Sequence, residues 1–386
     1  MDNNNSFIAL CKPGLVPFCV QELQQLSCSN IVAGSENVLF ELTSVNNLHK
    51  VFQQLASVYS LSQVLWQGDN TSAMNITEKH SEKIISCLSA DKQEFKFRVL
   101  CEGISGNEKR IKLAAELNKL LIAQFNKHNL KAIVDYKKPQ CIFSLSQDPK
   151  TKQYTFGLKL HKKDLDKREW RVFTHKASFR GDFAAAICES AGIPSMKKLE
   201  KYMQGNEKYS LGCIFSRDGA VAIEAVCKLT QSPVRALSPS IMQWTKQSSQ
   251  SSEKPRKEVE VHKTENVQVY LMDDSGTNIR ASVNNAKMAT VNEYMKFLSL
   301  SIDQIDQQIP KNTFHAVIAH LTVKDERRIN VLLKQIEYIL KSKGTVLFIA
   351  RPGFEIEEDS RFSLQSHTII PRGSGSISLF SFKKRE

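Results

Sequence analysis

The chain reads as an α/β protein in two parts: an α+β N-terminal region that opens on a ferredoxin-like unit, then a doubly wound, Rossmann-type α/β domain. Three observations predict this. Up to residue 160, short strands and helices follow the strand–helix–strand rhythm of small α+β units. Beyond residue 192, helices alternate with short apolar runs of the kind buried in a parallel sheet, the first at 209–215. At 386 residues with 41% hydrophobic content, the chain is long enough to bury two cores of ordinary size.

In order, 6–11 is a strand, Pro13-Gly14 a turn, and 17–26 a helix with Val20, Leu23 and Leu26 on one face and a proline at its start. A strand at 37–42, a helix at 45–55 with Leu48, Val51, Phe52 and Leu55, and a strand at 58–66 complete a unit over 1–68. A second unit, 69–163, begins with a helix at 74–88 and a half-exposed strand at 94–101, where Phe95, Phe97 and Val99 alternate with Glu94, Lys96 and Arg98. A basic helix at 108–128 follows, with Ile111, Ala115, Leu120 and Ile122 among its lysines, then strands at 132–136, 141–146 and 154–160. Residues 164–192 form a junction, a basic linker bearing Trp170 and then a helix through Phe183, Ile187 and Ala191 closed by Gly192. The last part, 193–386, has strands at 209–215, 267–272, 295–298, 314–319, 345–349 and 376–382, with helices at 219–229, 279–289 and 325–340, the last stopped near Gly344. Its rhythm breaks at 236–265, where Ser248-Ser249-Gln250-Ser251-Ser252 and Lys254-Pro255-Arg256-Lys257 are too polar to bury a core and read as a mobile insertion.

A formal net charge of +13 points to a polyanionic partner, nucleic acid first and an acidic membrane surface second. Candidate phosphate contacts gather in three places. Lys109, Arg110 and Lys112 open the basic helix, where cations oppose the helix dipole unless an anion neutralises them. Lys137 and Lys138 occupy a later loop, and Lys167, Arg168 and Arg171 flank Trp170, whose ring offers a base a stacking face. The bland readings stand beside these: solvated surface for the lysines, and for the junction a Trp170 wedge between domains with arginines that bridge acidic side chains. There is no run of about 18 apolar residues, and Met1-Asp2-Asn3-Asn4-Asn5 lacks the features of a signal peptide, so the expected location is the cytoplasm with no membrane partner. The nine cysteines stand singly, never as Cys-x-x-Cys, and the nine histidines are scattered, which indicates neither a metal site nor a disulfide framework.

Leu165-Asp166-Lys167-Arg168-Glu169-Trp170-Arg171, followed by His175-Lys176-Ala177-Ser178-Phe179-Arg180-Gly181-Asp182-Phe183-Ala184-Ala185-Ala186, resembles the joint of RNA methyltransferases that carry a THUMP domain, especially the archaeal tRNA guanine-N2 methyltransferases. There, Leu-Ser-Lys-Arg-Glu-Tyr-Arg leads into a helix that opens the methyltransferase domain; Arg180 is kept, while Gly181-Asp182 stands where the family prefers Pro-Thr. Phe7-Ile8-Ala9-Leu10, Pro13-Gly14-Leu15 and Glu22-Leu23 are similar to the family's N-terminal unit, and Asp135 with Lys137-Lys138-Pro139 resembles a THUMP domain. The resemblance implies a THUMP module over 69–163 that recognises the acceptor end of tRNA. It further implies a class I methyltransferase-like domain over 193–386, with S-adenosylmethionine (SAM) as cofactor if active.

The family's Asp-Pro-x-Cys-Gly-Ser-Gly-Thr, whose glycines let the backbone approach SAM, aligns with Cys213-Ile214-Phe215-Ser216-Arg217-Asp218-Gly219-Ala220 through the anchor Ile223-Glu224-Ala225-Val226. Only Gly219 survives, and Arg217 stands at a glycine. The ribose-holding carboxylate falls on Asp273, Ser301 stands for the adenine-contacting Asp, and His320-Leu321-Thr322-Val323 replaces the catalytic Asn/Asp-Pro-Pro-Tyr. Gly219 and Asp273 are thus residual cofactor residues. Three readings follow: a tRNA-binding protein of tRNA modification or processing whose methyl-transfer apparatus is eroded; an active tRNA guanine-N2 methyltransferase with a divergent site of Asp273, Asp218 and His320; or a docking platform for a protein partner, with Ile214-Phe215 as its apolar end.

Overall fold

The computed structural model describes residues 5–44, 47–69, 94–195, 199, 208–236, 266–356 and 359–385. The helix expected at 74–88 and residues 237–265 of the expected insertion lie outside them. The chain divides into two compact units between Leu165 and Asp166.

The first unit begins with β1 (Ser6–Leu10), α1 (Val16–Gln25), β2 (Ser29–Ala33), β3 (Asn37–Glu41), α2 (Leu48–Gln54) and β4 (Ser60–Gly68). Their antiparallel order β2-β3-β1-β4 is ferredoxin-like, as the sequence predicts. Proline in the first turn of α1 removes one amide that would have no helical partner there. The helix buries Leu23 as expected, together with Val16 and Cys19, while the expected Val20 and Leu26 are only partly buried. Glu22, buried on that face, accepts the amides of Ala56 (2.9 Å) and Ser57 (3.0 Å), which ties α1 to the approach to β4.

β5 (Glu94–Glu102), α3 (Asn107–Lys127), β6 (Lys131–Val134), β7 (Cys141–Gln147) and β8 (Tyr154–Lys159) extend the same sheet, in the order β2-β3-β1-β4-β8-β7-β5-β6. The division expected at 68/69 therefore falls inside one eight-stranded sheet. β4 pairs antiparallel with β8, from Ser62↔Lys159 to Gly68↔Tyr154. At this seam Glu102 accepts Lys159 Nζ (2.6 Å), Ser144 Oγ (2.6 Å) and Ser60 Oγ (3.1 Å), so four strands share one carboxylate. α3 packs through Leu117, Leu121 and Phe125 against Phe97 and Phe143. Ile111 is 63% exposed, because it lies off that stripe.

The second unit contains α4 (Gly181–Ser190), β9 (Tyr209–Ile214), α5 (Ala220–Thr230), β10 (Val267–Asp273), α6 (Gly276–Met288), β11 (Met295–Ser299), α7 (Ile305–Gln308), β12 (Phe314–His320), α8 (Val323–Glu326), α9 (Ile329–Ile339), β13 (Leu340–Ala350), β14 (Phe362–Arg372) and β15 (Gly375–Lys384). The sheet order is β11-β10-β9-β12-β13-β15-β14, with the first five strands parallel and β15 antiparallel to β13. This is the doubly wound domain the sequence predicts. Its winding reverses between β9 and β12. Ile214, Met272, Phe314, Val317, Leu332, Ile336, Phe348 and Phe382 share one core. The helix expected at 325–340 is two: a capping box of Thr322 and Asp325 starts α8, α9 begins anew at Ile329, and Gly344 lies inside β13.

Gly157 sits at the β4–β8 seam, where an added Cβ would come 2.5 Å from the Gln63 carbonyl oxygen. Gly157→Ala is expected to push the two strands apart and to destabilise the first unit by about 1–3 kcal/mol. Urea unfolding measures this; an unshifted midpoint would show that the seam yields without cost.

Candidate functional site

In a doubly wound sheet the ligand crevice opens at the carboxyl ends of the strands where the winding reverses. Here that point lies between β9 and β12, so the loop leaving β9 decides what the crevice admits. Phe215 and Arg217 both have φ of 57° and Gly219 has φ of 79°. Left-handed backbone costs a residue with a side chain about 1–2 kcal/mol, so Arg217 keeps a glycine's backbone while carrying a guanidinium. Gly219 caps α5, and a Cβ there would stand 3.0 Å from Ser282, so helix packing holds this glycine as firmly as its φ.

The Arg217 side chain spans the reversal. Its Nη2 donates to the His320 carbonyl at the end of β12 (3.4 Å) and to Asp325 Oδ2 in α8 (3.2 Å), with the guanidinium 5.5 Å from the Phe215 ring centre. Asp273, 1% exposed, accepts the Arg217 amide (3.0 Å) on one oxygen and the Ser275 amide (3.0 Å) and Asn278 Nδ2 (2.9 Å) on the other. It clasps the loop to the start of α6. Ser301 forms a capping box with Gln304. Burial pushes the Cys213 thiol up to about 12, which leaves it unreactive.

Asp218 is wholly buried. Its carboxylate accepts Arg171 Nε (2.9 Å) and Nη2 (2.7 Å), the His175 amide (3.1 Å) and the Ser178 hydroxyl. Asn285 continues the network: its Nδ2 donates to the carbonyls of Asp218 (2.9 Å) and Phe173 (2.8 Å), and its Oδ1 accepts the amides of Val172 and Phe173. Arg168 is buried too and donates to both oxygens of the buried Glu224, at 2.6 and 3.3 Å. Gly181 makes room for it, since a Cβ there would meet Arg168 Nε at 2.2 Å. These placements correct the expectation that Arg168, Trp170 and Arg171 present an RNA-facing surface: Arg168 and Trp170 are buried and Arg171 is held by Asp218, while Lys167 is exposed. The reading in which the arginines bridge acidic side chains is the one the geometry follows.

His320 lies 4.7 Å from the Phe179 ring, centre to centre. Burial, reinforced by the charges of Arg217, Arg372 and His175, pushes its imidazole down to about 3. It is therefore neutral at physiological pH and a poor proton acceptor there. Of the trio expected for a divergent catalytic site, Asp218 and Asp273 both accept structural donors from the protein.

The first unit has a basic concavity of about 440 Å³ lined by Arg98, Lys137, Lys138, Lys162, Pro139 and Ile142. Asp135 shapes its rim by accepting the amides of Lys137 (2.9 Å) and Lys138 (2.8 Å), bonds that hold its carboxyl below the usual range. Arg98 donates to the Tyr136 carbonyl at 3.3 Å. Lys137 and Lys138 were read from the sequence; Arg98 and Lys162 were not, although the alternation of β5 already put Arg98 on the exposed face. Lys109, Arg110 and Lys112 are exposed on the first turns of α3. Among the described residues no group of His, Cys, Asp and Glu could hold a metal ion, and no helix is long and apolar enough to cross a membrane.

No protein-family model and no curated protein sequence matches the chain. Solved structures do. TrmN from Thermus thermophilus superposes with a TM-score of 0.68 at 14% identity, covering 98% of this chain and 99% of that one. A predicted N6-adenine-specific DNA methylase from Listeria monocytogenes gives 0.64 at 13% over 98% and 95%, and SMU.472 complexed with SAH gives 0.65 at 12% over the full length of both. The fold is that of Rossmann-like SAM-dependent methyltransferases. At this identity the likeness extends to architecture alone, so the crevice residues decide whether SAM fits. They do not fit: the Arg217 side chain crosses the loop that must admit the cofactor, and Asp273 has both oxygens engaged by the protein.

Two outcomes follow. Removing one partner of a buried ion pair costs about 3–5 kcal/mol, so Arg168→Met is expected to lower the unfolding free energy by that much, and Lys167→Met by under about 0.5 kcal/mol. Equal effects in denaturant titrations would contradict the burial of Arg168. For His320, the unfolded chain binds the imidazole proton near pH 6.5 and the folded chain only near 3. Its contribution is therefore complete above pH 6.5 and lost as pH falls through that window. His320→Gln should flatten the stability–pH profile between about pH 6.5 and 4.5; a slope identical to that of the parent protein would contradict this.

Proposed function

We propose that this chain is a tRNA-binding protein acting in tRNA modification or processing, with a THUMP-type module over 69–163 and a methyltransferase-type domain that no longer transfers methyl groups. The observation that carries the reading is Arg217, which occupies a cofactor-glycine position and is fastened across the crevice to Asp325. Grip on an exocyclic amine needs acceptors, yet His320 lies among the guanidiniums of Arg217 and Arg372. Binding to RNA is supported by the net charge, by the junction's likeness to the tRNA guanine-N2 methyltransferases, and by the four cations around one concavity. Residues 137 and 138 would meet phosphates there, with Arg98 and Lys162 beside them.

Isothermal titration with SAM is expected to give no binding heat, and a dissociation constant in the low micromolar range would overturn the loss of methyl transfer. Binding to tRNA is expected to weaken steeply with salt. Lys137→Ala/Lys138→Ala should lower the log–log salt slope by about two, at roughly 0.9 per lost phosphate contact. An unchanged slope in the folded double variant would remove the concavity from the RNA surface.

A further inference from the structure

The crevice that does not fit SAM is not inert. Arg217 after β9, His320 at the end of β12, Arg372 at the end of β14 and His175 before α4 converge on it, and all three of the others bear electrostatically on His320. Arg217 and Arg171 are matched by Asp325 and Asp218. Arg372 is not: its guanidinium stacks 4.6 Å from the Phe179 ring centre and donates to the Ser178 carbonyl at 2.8 Å, with no carboxylate at ion-pair distance among the described residues. His320 packs on the same Phe179 ring, and neither of its ring nitrogens hydrogen-bonds to a described residue. The neighbouring loop is short of acceptors as well: Ser216 Oγ and Arg217 Nε are buried without a partner. A buried polar group left without a partner destabilises the folded state. Arg372 is half-buried, and the buried Asp182 carboxylate that favours its charge is not at ion-pair distance from it.

We propose that this crevice is a phosphate-binding site, in which Arg372 and the ring N–H of His320 receive one phosphate group beside Phe179. The planar fork of arginine suits two phosphate oxygens, and a neutral imidazole adds a donor without a second charge to desolvate. A small shift of the loop toward the oxyanion gives Ser216 and Arg217 the acceptor they lack. The phosphate comes either from a free nucleotide or from an RNA terminus. The proposal rests on the reading that the crevice is closed to SAM, but the phosphate titration does not depend on the SAM titration, so either can fail alone.

The test uses the full chain with three probes: inorganic phosphate, a nucleoside 5′-monophosphate, and a short RNA with and without its 5′-phosphate. Calorimetry is expected to detect binding of the mononucleotide or of the 5′-phosphorylated RNA, and whichever binds identifies the source. Arg372→Gln should weaken that binding at least tenfold. In the parent protein, saturating phosphate should move the His320 imidazole proton resonances, a readout that needs no variant to fold. Absence of any such movement, or phosphate binding that Arg372→Gln leaves intact, would overturn the proposal.

Discussion

The second unit depends on a carboxylate that water never reaches. A buried charge is tolerated only when donors surround it, and Asp218 gathers a guanidinium, an amide and a hydroxyl from the segment between Asp166 and α4. That segment has no regular secondary structure of its own. It is held in place because the alternative is an unpaired charge beneath the sheet's carboxyl edge. Arg168 and Glu224 repeat the device one helix away, and Gly181 exists at the start of α4 because a methyl group would strike the guanidinium. The arginines of this stretch, Arg168 and Arg171, are thus internal ties.

Why the sequence misled there is physical. A run such as Lys167-Arg168-Glu169-Trp170-Arg171 carries no record of which cation has a buried acid opposite, since the acids are Glu224 and Asp218, far along the chain. The fold was more legible, because buried parallel strands are apolar throughout and announce themselves. The two strands overlooked are those that do not: β2 is mostly exposed, and β14 runs solvent-facing from Ser363 to Ile369 at the sheet's edge. The face of α1 was misjudged by about one residue because Glu22, a charged residue, belongs to the buried side. Of the candidate site, the loss of glycines was legible in the sequence, while the engagement of Asp273 and Asp218 was not.

Arg217 illustrates how neighbours, rather than residue type, can hold a loop's backbone. The loop is left-handed at Arg217 without a glycine there, because Asp273 accepts the Arg217 amide and the Ser282 hydroxyl donates to its carbonyl. The loop's shape is set by its neighbours, and the side chain it carries is free to change what the crevice admits. Fold and activity are separable for this reason.

The shared sheet of the first unit also dictates an order of events at the ribosome. β4 leaves the exit tunnel long before β8, the strand that lies against it along the register from Ser62↔Lys159. Until then the ferredoxin-like half carries an open edge, and Ser60 lacks its Glu102 partner until β5 emerges. A nascent chain halted between the two strands would expose a sticky rim, so the pace of translation through the intervening segment governs how long this protein is vulnerable to wrong pairing.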